Sequence, residues 1–144
     1  MTEIFPMKSE HIEQVYSIET ATFPIPWSRR EFEKELNNDM AVYFIACKQS
    51  EVVGYAGMWH IVNEGHIVNI AVRGNERRRG IGSLLVRRLI DCAREREMIG
   101  LTLEVRISNL AAQRLYHSFG FKPEGLRGRY YENSEDAIIM WMYF

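Results

Sequence analysis

A short segment near the middle of the chain combines three consecutive arginines with two glycines, in the order Arg77-Arg78-Arg79-Gly80-Ile81-Gly82. Glycine lets a ligand approach the backbone closely, and the first amide N–H groups of a helix have no acceptor within that helix. The helix dipole and the guanidinium groups both favour a negatively charged ligand at such a place. The segment therefore predicts a phosphate or pyrophosphate site at the start of a helix.

Two other interpretations of this segment stay open on the residues alone. The arginines could form a solvated run beside a glycine-rich turn, or part of a nucleic-acid-binding patch, although no companion stripe of aromatic and basic residues occurs elsewhere. No Gly-Lys-Ser/Thr sequence follows, so the segment is not a P-loop, and Leu85 stands where a dinucleotide-binding fingerprint has its third glycine.

The charge of the chain is almost balanced overall but unevenly distributed. The 144 residues include 18 Lys and Arg and 19 Asp and Glu, which gives a net charge of −1 at pH 7. Residues 73–96 hold eight Arg against three acidic residues, a local charge of +5 that leaves −6 for the remainder. The low net charge argues against a broad nucleic-acid surface but not against a local phosphate site. We therefore expect a small phosphorylated ligand and no direct contact with nucleic acid.

Length and composition predict one domain, residues 1–144. The hydrophobic fraction of 47% and the aromatic fraction of 12% are too high for a disordered chain. No apolar run approaches the roughly 20 residues of a membrane span, and no secretory signal is visible at the N-terminus, so we expect a cytoplasmic protein without membrane contact. Cys47 and Cys92 lack the spacing of metal ligands, so we expect reduced core thiols and no metal.

The elements around the arginine-glycine segment predict an α/β fold, a mixed and mostly antiparallel twisted sheet of about seven strands with about four helices on both faces. The capping box Ser28-Arg29-Arg30-Glu31, flanked by Trp27 and Phe32, predicts that a helix begins at Arg29. Periodicity predicts helices at 9–22, 29–37, 81–97 and 109–119. It predicts a first strand near the N-terminus and further strands at 41–48, 52–60, 66–72, 101–106, 122–130 and 136–143.

Several separated segments resemble, in order and at suitable spacing, the motifs of the GNAT superfamily of acetyl-CoA-dependent N-acetyltransferases. The arginine-glycine segment resembles the superfamily's Q/R-x-x-G-x-G/A motif. Residues 68–72 before it, and residues 103–109 and 112–121 after it, look like the flanking motifs. The closing residues 127–131 and 135–140 look more specifically like the protein Nα-acetyltransferases, and most like the bacterial ribosomal-protein-alanine type, the RimI type.

The resemblance implies that acetyl-CoA is the cosubstrate and that the reaction uses no metal. It implies that strand 67–72 splays from strand 101–106, so that the backbone of Ile70, Ala71 and Val72 pairs with the pantetheine arm. Asn109 is implied as a further cofactor contact, with a helix N-cap as the alternative role. The residues implied to hold the pyrophosphate are Arg77, Arg78, Arg79, Gly80, Ile81, Gly82 and Ser83.

The resemblance also supplies two catalytic candidates, Glu104 as general base and Tyr116 as proton donor to the departing thiolate. An α-amino group has a reference pKa of about 7.7–8.0, so a fraction of it is already neutral near pH 7 and a weakly basic carboxylate can accept the remaining proton. Proton transfer from a phenol to a thiolate has an unfavourable free energy of about 2 kcal/mol. A hydrogen bond from Tyr116 that strengthens as the sulfur gains negative charge is therefore sufficient to stabilise the leaving group, without complete proton transfer. The alternatives are an ion pair between Glu104 and Arg106 or another arginine, a core role for Tyr116, and Glu19 as a weaker candidate base.

The acceptor side of the site is predicted from aromatic residues. Phe23 lies in an apolar loop, residues 23–28, that this family places over its peptide site. Tyr130 and Tyr131 are candidates to line the peptide cleft, and in a regular strand at most one of them would point into it. His60, His66 and His117 have no partner identifiable from spacing.

The leading functional expectation is transfer of acetyl from acetyl-CoA to the α-amino group of a protein, namely an alanine-starting small-subunit ribosomal protein. The expected partner is thus a protein N-terminus, and the expected state is a monomer or weak dimer. The alternatives are acetylation of a small amine or a lysine side chain, and a non-catalytic module that binds CoA or a nucleotide phosphate.

Overall fold

The computed structural model of the chain describes residues 1–144 and contains one seven-stranded sheet. The strands are β1 (Thr2–Pro6), β2 (Ala41–Lys48), β3 (Glu51–Ile61), β4 (Glu64–Val72), β5 (Gly100–Arg106), β6 (Lys122–Arg127) and β7 (Ala137–Tyr143). The helices are α1 (Ile12–Thr22), α2 (Arg29–Leu36), α3 (Ile81–Glu95) and α4 (Leu110–Phe119), with short 3-10 turns at Ser9–His11 and Gly74–Glu76.

The strand order is β1-β2-β3-β4-β5-β7-β6, and only β4 and β5 run parallel. This order confirms the predicted mixed, mostly antiparallel sheet. The parallel pair is short, because β4 and β5 align only from Glu64↔Gly100 to His66↔Thr102. Beyond that point β4 remains paired with β3 and β5 with β7, while the two central strands diverge from each other. The predicted splay between these strands is therefore present.

A bulge in β4 lies next to the point of divergence. Gly57 of β3 aligns with Asn69 and Met58 aligns with Ile67, so Val68 is an extra residue in β4. A bulge bends its strand and increases its local twist. Gly57 is required beside this bulge, because a Cβ atom there would lie 2.2 Å from the ring of Tyr43.

Helices cover both faces of the sheet, as predicted. One face packs against α3, whose buried Leu85 and Leu89 contact a core that includes Leu101 and Leu103 of β5. The opposite face packs against α1 and α2, where Phe32 lies among buried aromatic side chains. The two cores hold the diverging strands between them.

The start of α2 is fixed by the predicted capping box. Ser28 Oγ accepts a hydrogen bond from the backbone N–H of Glu31 at 3.1 Å, and Glu31 Oε1 accepts one from the Ser28 N–H at 3.0 Å. The rings of Trp27 and Phe32 lie 5.6 Å apart, as expected for a hydrophobic staple. These contacts hold the end of the apolar loop, residues 23–28.

The prediction that a strand continues to Tyr130 is wrong. β6 ends at Arg127, and Arg129 has a left-handed φ of 52°, with its N–H donating to Asp136 Oδ1 at 2.9 Å. Tyr130 and Tyr131 thus lie in the loop between β6 and β7, and their ring centroids are 5.0 Å apart. The rule that places neighbouring residues on opposite faces of a strand does not apply to them.

None of the helices combines the length and apolar character needed to cross a membrane. His, Cys, Asp and Glu side chains form no group of three that could hold a metal ion.

Candidate active site

A cleft of about 890 Å³ opens where β4 and β5 diverge. The apolar loop at residues 23–27 lies on one side of it, and the start of α3 lies on another. Helix α4 and the loop between β6 and β7 contribute the remaining walls. Most of the residues predicted from the sequence to form the site line this one cleft.

The start of α3 has the features of an anion site. Gly80 is the N-cap residue, with a φ of 80° that favours glycine, and no side chain caps the helix. The first turn contains no acidic residue, and a Cβ atom built on Gly80 would meet nothing within 4 Å. The first-turn amides of Ile81, Gly82 and Ser83 therefore border open space in the cleft and fit a phosphate group.

The three arginines before α3 have different contacts. Arg77 donates from Nε to the carbonyl of Val72 at 3.0 Å and from Nη2 to Thr22 Oγ1 at 3.4 Å, so it ties the loop to β4 and α1. Arg79 does not line the cleft, and its Nη1 lies 3.8 Å from Glu76 Oε1. Arg78 lines the cleft and makes no hydrogen bond or ion pair within the protein. Of the three, Arg78 is the one free to meet an anion.

The edge of β4 provides the predicted backbone surface. Ile70, Ala71 and Val72 line the cleft at the position from which β5 has departed, and they pair with β3 on their other side. An extended ligand can satisfy backbone groups at such an edge. Asn109 also lines the cleft, and its Oδ1 accepts a hydrogen bond from the Ala112 N–H at 3.1 Å, so the alternative N-cap role is present.

Glu104 lines the cleft from β5, and its partners are His66 and Arg127, so the arginine that pairs with it is Arg127 and not Arg106. Glu104 Oε2 lies 2.6 Å from His66 Nε2, and Oε1 lies 3.6 Å from Arg127 Nε. Burial raises the pKa of Glu104, but the hydrogen bond to His66 and the charges of His66 and Arg127 outweigh it, so the pKa falls below its ordinary value. The carboxylate is therefore ionised at neutral pH.

Tyr116 lines the same cleft from α4. Its side chain is buried, its ring packs at 5.7 Å against Phe121, and its hydroxyl makes no hydrogen bond to another protein group. Burial raises the pKa of Tyr116 above its ordinary value, and the nearby Tyr131 adds to this effect. The phenol is thus protonated at neutral pH and has a proton available for a ligand.

Of the aromatic residues predicted to contact the acceptor, Phe23 and Tyr131 line the cleft, whereas Tyr130 does not. Arg106 places its guanidinium 4.1 Å from the ring centroid of Tyr131 and pairs with Glu132 and Glu135. Burial is the main reason that the pKa of Tyr131 rises to about 12. These contacts hold the loop between β6 and β7 against the end of β5.

Glu19 lines the cleft but is occupied by structural hydrogen bonds. It is 3% exposed, accepts a hydrogen bond from the Trp27 N–H at 2.9 Å, and also accepts one from the Tyr55 hydroxyl. Asn69 Nδ2 lies 3.5 Å from the same carboxylate. These contacts fit an anchor for the apolar loop better than a free base.

Sequence reasoning missed the contact between His66 and Glu104. Only the register of the short β4–β5 pair brings these residues together, since they are 38 positions apart in the chain. Register across a parallel pair cannot be read from spacing in one sequence.

Comparisons with known proteins agree with this arrangement. Residues 12–121 match the Acetyltransferase (GNAT) family. A Bacillus subtilis (strain 168) protein is 40% identical over 138 residues, covering 94% of this chain and 91% of that protein. The ribosomal protein bS18-alanine N-acetyltransferase of Escherichia coli (strain K12) is 33% identical over 143 residues, covering 97% of this chain and 96% of that protein.

A solved structure shares the whole fold. The crystal structure of the ribosomal-protein-S18-alanine N-acetyltransferase from Escherichia coli has a TM-score of 0.92 to this chain at 32% identity, covering 99% of this chain and 94% of that one. The diverging central strands, the uncapped start of α3 and the match over residues 12–121 therefore lead to one conclusion. The chain belongs to the GNAT acetyltransferase family and is an N-acetyltransferase.

Proposed function

We propose that this protein transfers the acetyl group of acetyl-CoA to the N-terminal alanine α-amino group of the small-subunit ribosomal protein bS18. The observation that carries the proposal is that Glu104, Tyr116 and the open start of α3 all line one cleft. The similarity to the Escherichia coli enzyme of that name, over nearly the full length of both chains, supports the choice of acceptor.

Acetyl-CoA supplies the thioester from which the acetyl group is taken. The amides of Ile81, Gly82 and Ser83, together with the Arg78 guanidinium, fit its pyrophosphate. The edge of β4 at residues 70–72 fits the extended pantetheine arm. This arrangement directs the reactive end of the cosubstrate toward the region between β4 and β5.

Glu104 serves as the proton acceptor when the amine attacks. Its lowered pKa keeps it ionised at neutral pH, and a free α-amino group is already partly neutral there, with a reference pKa of about 7.7–8.0. The amine attacks the thioester carbonyl directly, and one proton moves from nitrogen to the carboxylate. Tyr116 then donates a hydrogen bond to the sulfur that strengthens as the carbon–sulfur bond breaks, and the electron pair of that bond stays on the sulfur as a thiolate.

The acceptor N-terminus enters between the apolar loop and the loop between β6 and β7. Phe23 and Trp27 form one wall and Tyr131 the other, while Arg106 fixes Tyr131 in place. Tyr130 lies outside this wall, so we assign the substrate contact to Tyr131 of the pair.

The test compares two peptides of the bS18 N-terminal sequence, one with a free α-amino group and one with that group chemically blocked but with its lysines intact. Mass spectrometry after incubation with acetyl-CoA should find acetyl only on the free α-nitrogen. Equal acetylation of the blocked peptide would instead assign the activity to lysine. A protein that binds acetyl-CoA but acetylates neither peptide nor any small amine would be a binding module.

A further inference from the structure

The sheet face that carries Glu104 is covered by helices over only part of its width. α1 and α2 pack on this face against β2, β3 and β4. The buried leucines of β5 and methionines of β7 lie instead in the core under α3, on the opposite face. Side chains alternate along a strand, so the residues between them point to the uncovered side. On β5 and β7 these residues are Thr102, Glu104, Ile139, Trp141 and Tyr143.

Two aromatic rings lie side by side on this uncovered face. Trp141 and Tyr143 are two residues apart on β7, and their rings are stacked with an interplanar angle of 2° and centroids 5.3 Å apart. Tyr143 is 59% exposed, so this aromatic pair is open to solvent rather than part of a core. Guanidinium groups of the chain lie over six other aromatic rings, but none lies over either ring of the pair. The pair therefore presents an aromatic face that no arginine of the protein covers.

Two carboxylates flank the aromatic pair. The Tyr143 hydroxyl donates to Glu124 Oε1 at 2.8 Å on one side. Glu64 lies on the other side, because it aligns with Gly100 of β5, which in turn aligns with Tyr143. The hydrogen bond to Glu124 is the main reason that the pKa of Tyr143 rises, and the charge of Glu64 adds to the effect. Glu64 is exposed and forms no ion pair, so its carboxylate is available to a ligand.

One basic side chain lies in the same part of the sheet. Lys122 of β6 aligns with Trp141, so the two residues share the uncovered face. Lys122 is exposed and forms no ion pair with Glu64 or Glu124. Two carboxylates against one ammonium leave the surroundings of the aromatic pair negatively charged. An aromatic surface in such surroundings favours a cationic ligand.

The aromatic pair lies within reach of a peptide whose first residue is at Glu104. Ile139 aligns with Glu104, and Trp141 and Tyr143 are two and four residues further along β7. An extended chain rises about 3.4 Å per residue, so the pair begins roughly 7 Å and ends roughly 14 Å from Glu104 along the strand direction. An acceptor chain that follows β7 would therefore bring about its third to fifth residues to the pair.

We propose that the acceptor chain lies along the uncovered face of β5 and β7, and that a Lys or Arg side chain at about its third to fifth residue docks on the aromatic pair. This inference rests on the proposed function and adds a class of acceptor, a polypeptide with a basic segment shortly after its N-terminus. The ring faces supply a cation–π contact, and Glu64 supplies a charge-assisted hydrogen bond. A ribosomal protein fits this class, because proteins neutralise nucleic-acid phosphates with Lys and Arg.

The test uses two peptides that begin with a free alanine and are identical except that residues three to five are arginine in one and glutamine in the other. kcat and KM are measured for both with saturating acetyl-CoA. For wild type we expect a KM about tenfold lower for the arginine peptide, with kcat values within about twofold of each other, since the pair contacts the acceptor away from the reacting atoms. Equal KM values for the two peptides would overturn the inference.

Three variants locate the source of this preference, which is the ratio of the two KM values. The preference should fall by about threefold in E64Q and by about fivefold in Y143L, which lose the carboxylate and the exposed ring. In K122Q it should rise by about twofold, because a competing cation is removed. The matched control is E3Q, since Glu3 is an exposed residue of β1 at the opposite edge of the sheet, and it should keep the wild-type ratio.

The opposite signs expected for E64Q and K122Q separate a docking surface from a loss of folding, which would impair both peptides alike. A wild-type ratio in both E64Q and Y143L, with native circular dichroism, would place the preference elsewhere and overturn the inference. Failure of the proposed function looks different, because wild type would then acetylate the α-nitrogen of neither peptide, and the inference would fall with it.

Discussion

Glu19 Oε2 accepts a hydrogen bond from the backbone N–H of Trp27 at 2.9 Å, which ties the apolar loop directly to α1. The other oxygen of the same carboxylate receives the Tyr55 hydroxyl and lies 3.5 Å from Asn69 Nδ2. One buried side chain thus joins a helix, a loop and two strands at the wall of the cleft. Its ionisation must affect the stability of the fold as well as the shape of the site.

The first prediction concerns the pH dependence of stability at Glu19. Burial raises the pKa of Glu19 above its ordinary value of 4.5, although hydrogen bonds from Trp27 and Tyr55 oppose the effect. The folded protein therefore holds a proton that the unfolded chain has already released, and stability falls as pH rises through the raised pKa. Because E19Q does not titrate, its unfolding free energy should increase relative to wild type as the pH rises from the ordinary value of 4.5 through the raised pKa of Glu19. Urea unfolding curves measure this difference, and parallel pH dependences would contradict it.

Arg78 should matter for cosubstrate binding more than the other exposed arginines. R78A removes a guanidinium that lines the cleft without an internal partner, so we expect acetyl-CoA affinity to fall by about tenfold or more. The control is R94A, because Arg94 lies over Phe144 near the other end of α3. Isothermal titration calorimetry of both variants checks this, and equal losses in the two would argue against a local phosphate site.

Replacing Tyr116 should separate chemistry from binding. Y116F keeps the buried ring packed against Phe121 but removes the hydroxyl, so kcat should fall by at least about tenfold while acetyl-CoA affinity stays near wild type. Y130F is the matched control, since Tyr130 does not line the cleft. If Y116F and Y130F turn over at the same rate as wild type, Tyr116 is a core residue only.

The loop between β6 and β7 should lose its fixed shape in acid. Hydrogen bonds from Ser108 are the main reason that the pKa of Glu135 falls to about 2. A carboxylate with a lowered pKa stabilises the folded state at pH values above 4.5, its pKa in the unfolded chain. This contribution is lost as the pH falls toward 2. Wild type should therefore exceed E135Q in stability by a margin that is largest above about pH 5 and shrinks steadily in acid. Denaturant unfolding of both proteins across this range measures the margin, and a constant margin would show that Glu135 titrates normally.

Gly57 should tolerate no side chain. In G57A the new methyl group would meet the Tyr43 ring at 2.2 Å in a fully packed region, so we expect a loss of about 3 kcal/mol in unfolding free energy. G74A is the control, because a Cβ at Gly74 meets nothing within 4 Å, and its effect should stay within about 0.5 kcal/mol. Similar stabilities for the two variants would mean that the sheet relaxes easily beside the bulge at Val68.

Local features were predictable from the sequence because their signals lie within a few residues. The capping box at Ser28 and the glycine at the start of α3 depend on neighbours in the chain, and the structure has both. The mixed, mostly antiparallel sheet of about seven strands was also predicted, and the observed sheet agrees.

Features that depend on long-range register were not predictable in the same way. Glu104 meets His66 because the short parallel pairing brings β4 and β5 together just before they diverge, and its arginine partner is the distant Arg127. The predicted strand ran to Tyr130, but the Arg129 N–H donates to Asp136 and the Tyr131 N–H donates to the Glu135 carbonyl, and these bonds belong to a loop. In both places, contacts between distant residues decide the local structure.

The gap between β4 and β5 also determines which molecules the sheet can accept. An outer edge strand offers its backbone to any extended chain, and such edges promote aggregation between copies of a protein. The unpaired part of β4 is instead an internal edge, enclosed by the start of α3 on one side and the apolar loop on the other. A ligand must enter between these two walls to reach this edge, whereas an outer edge strand is open along its whole length.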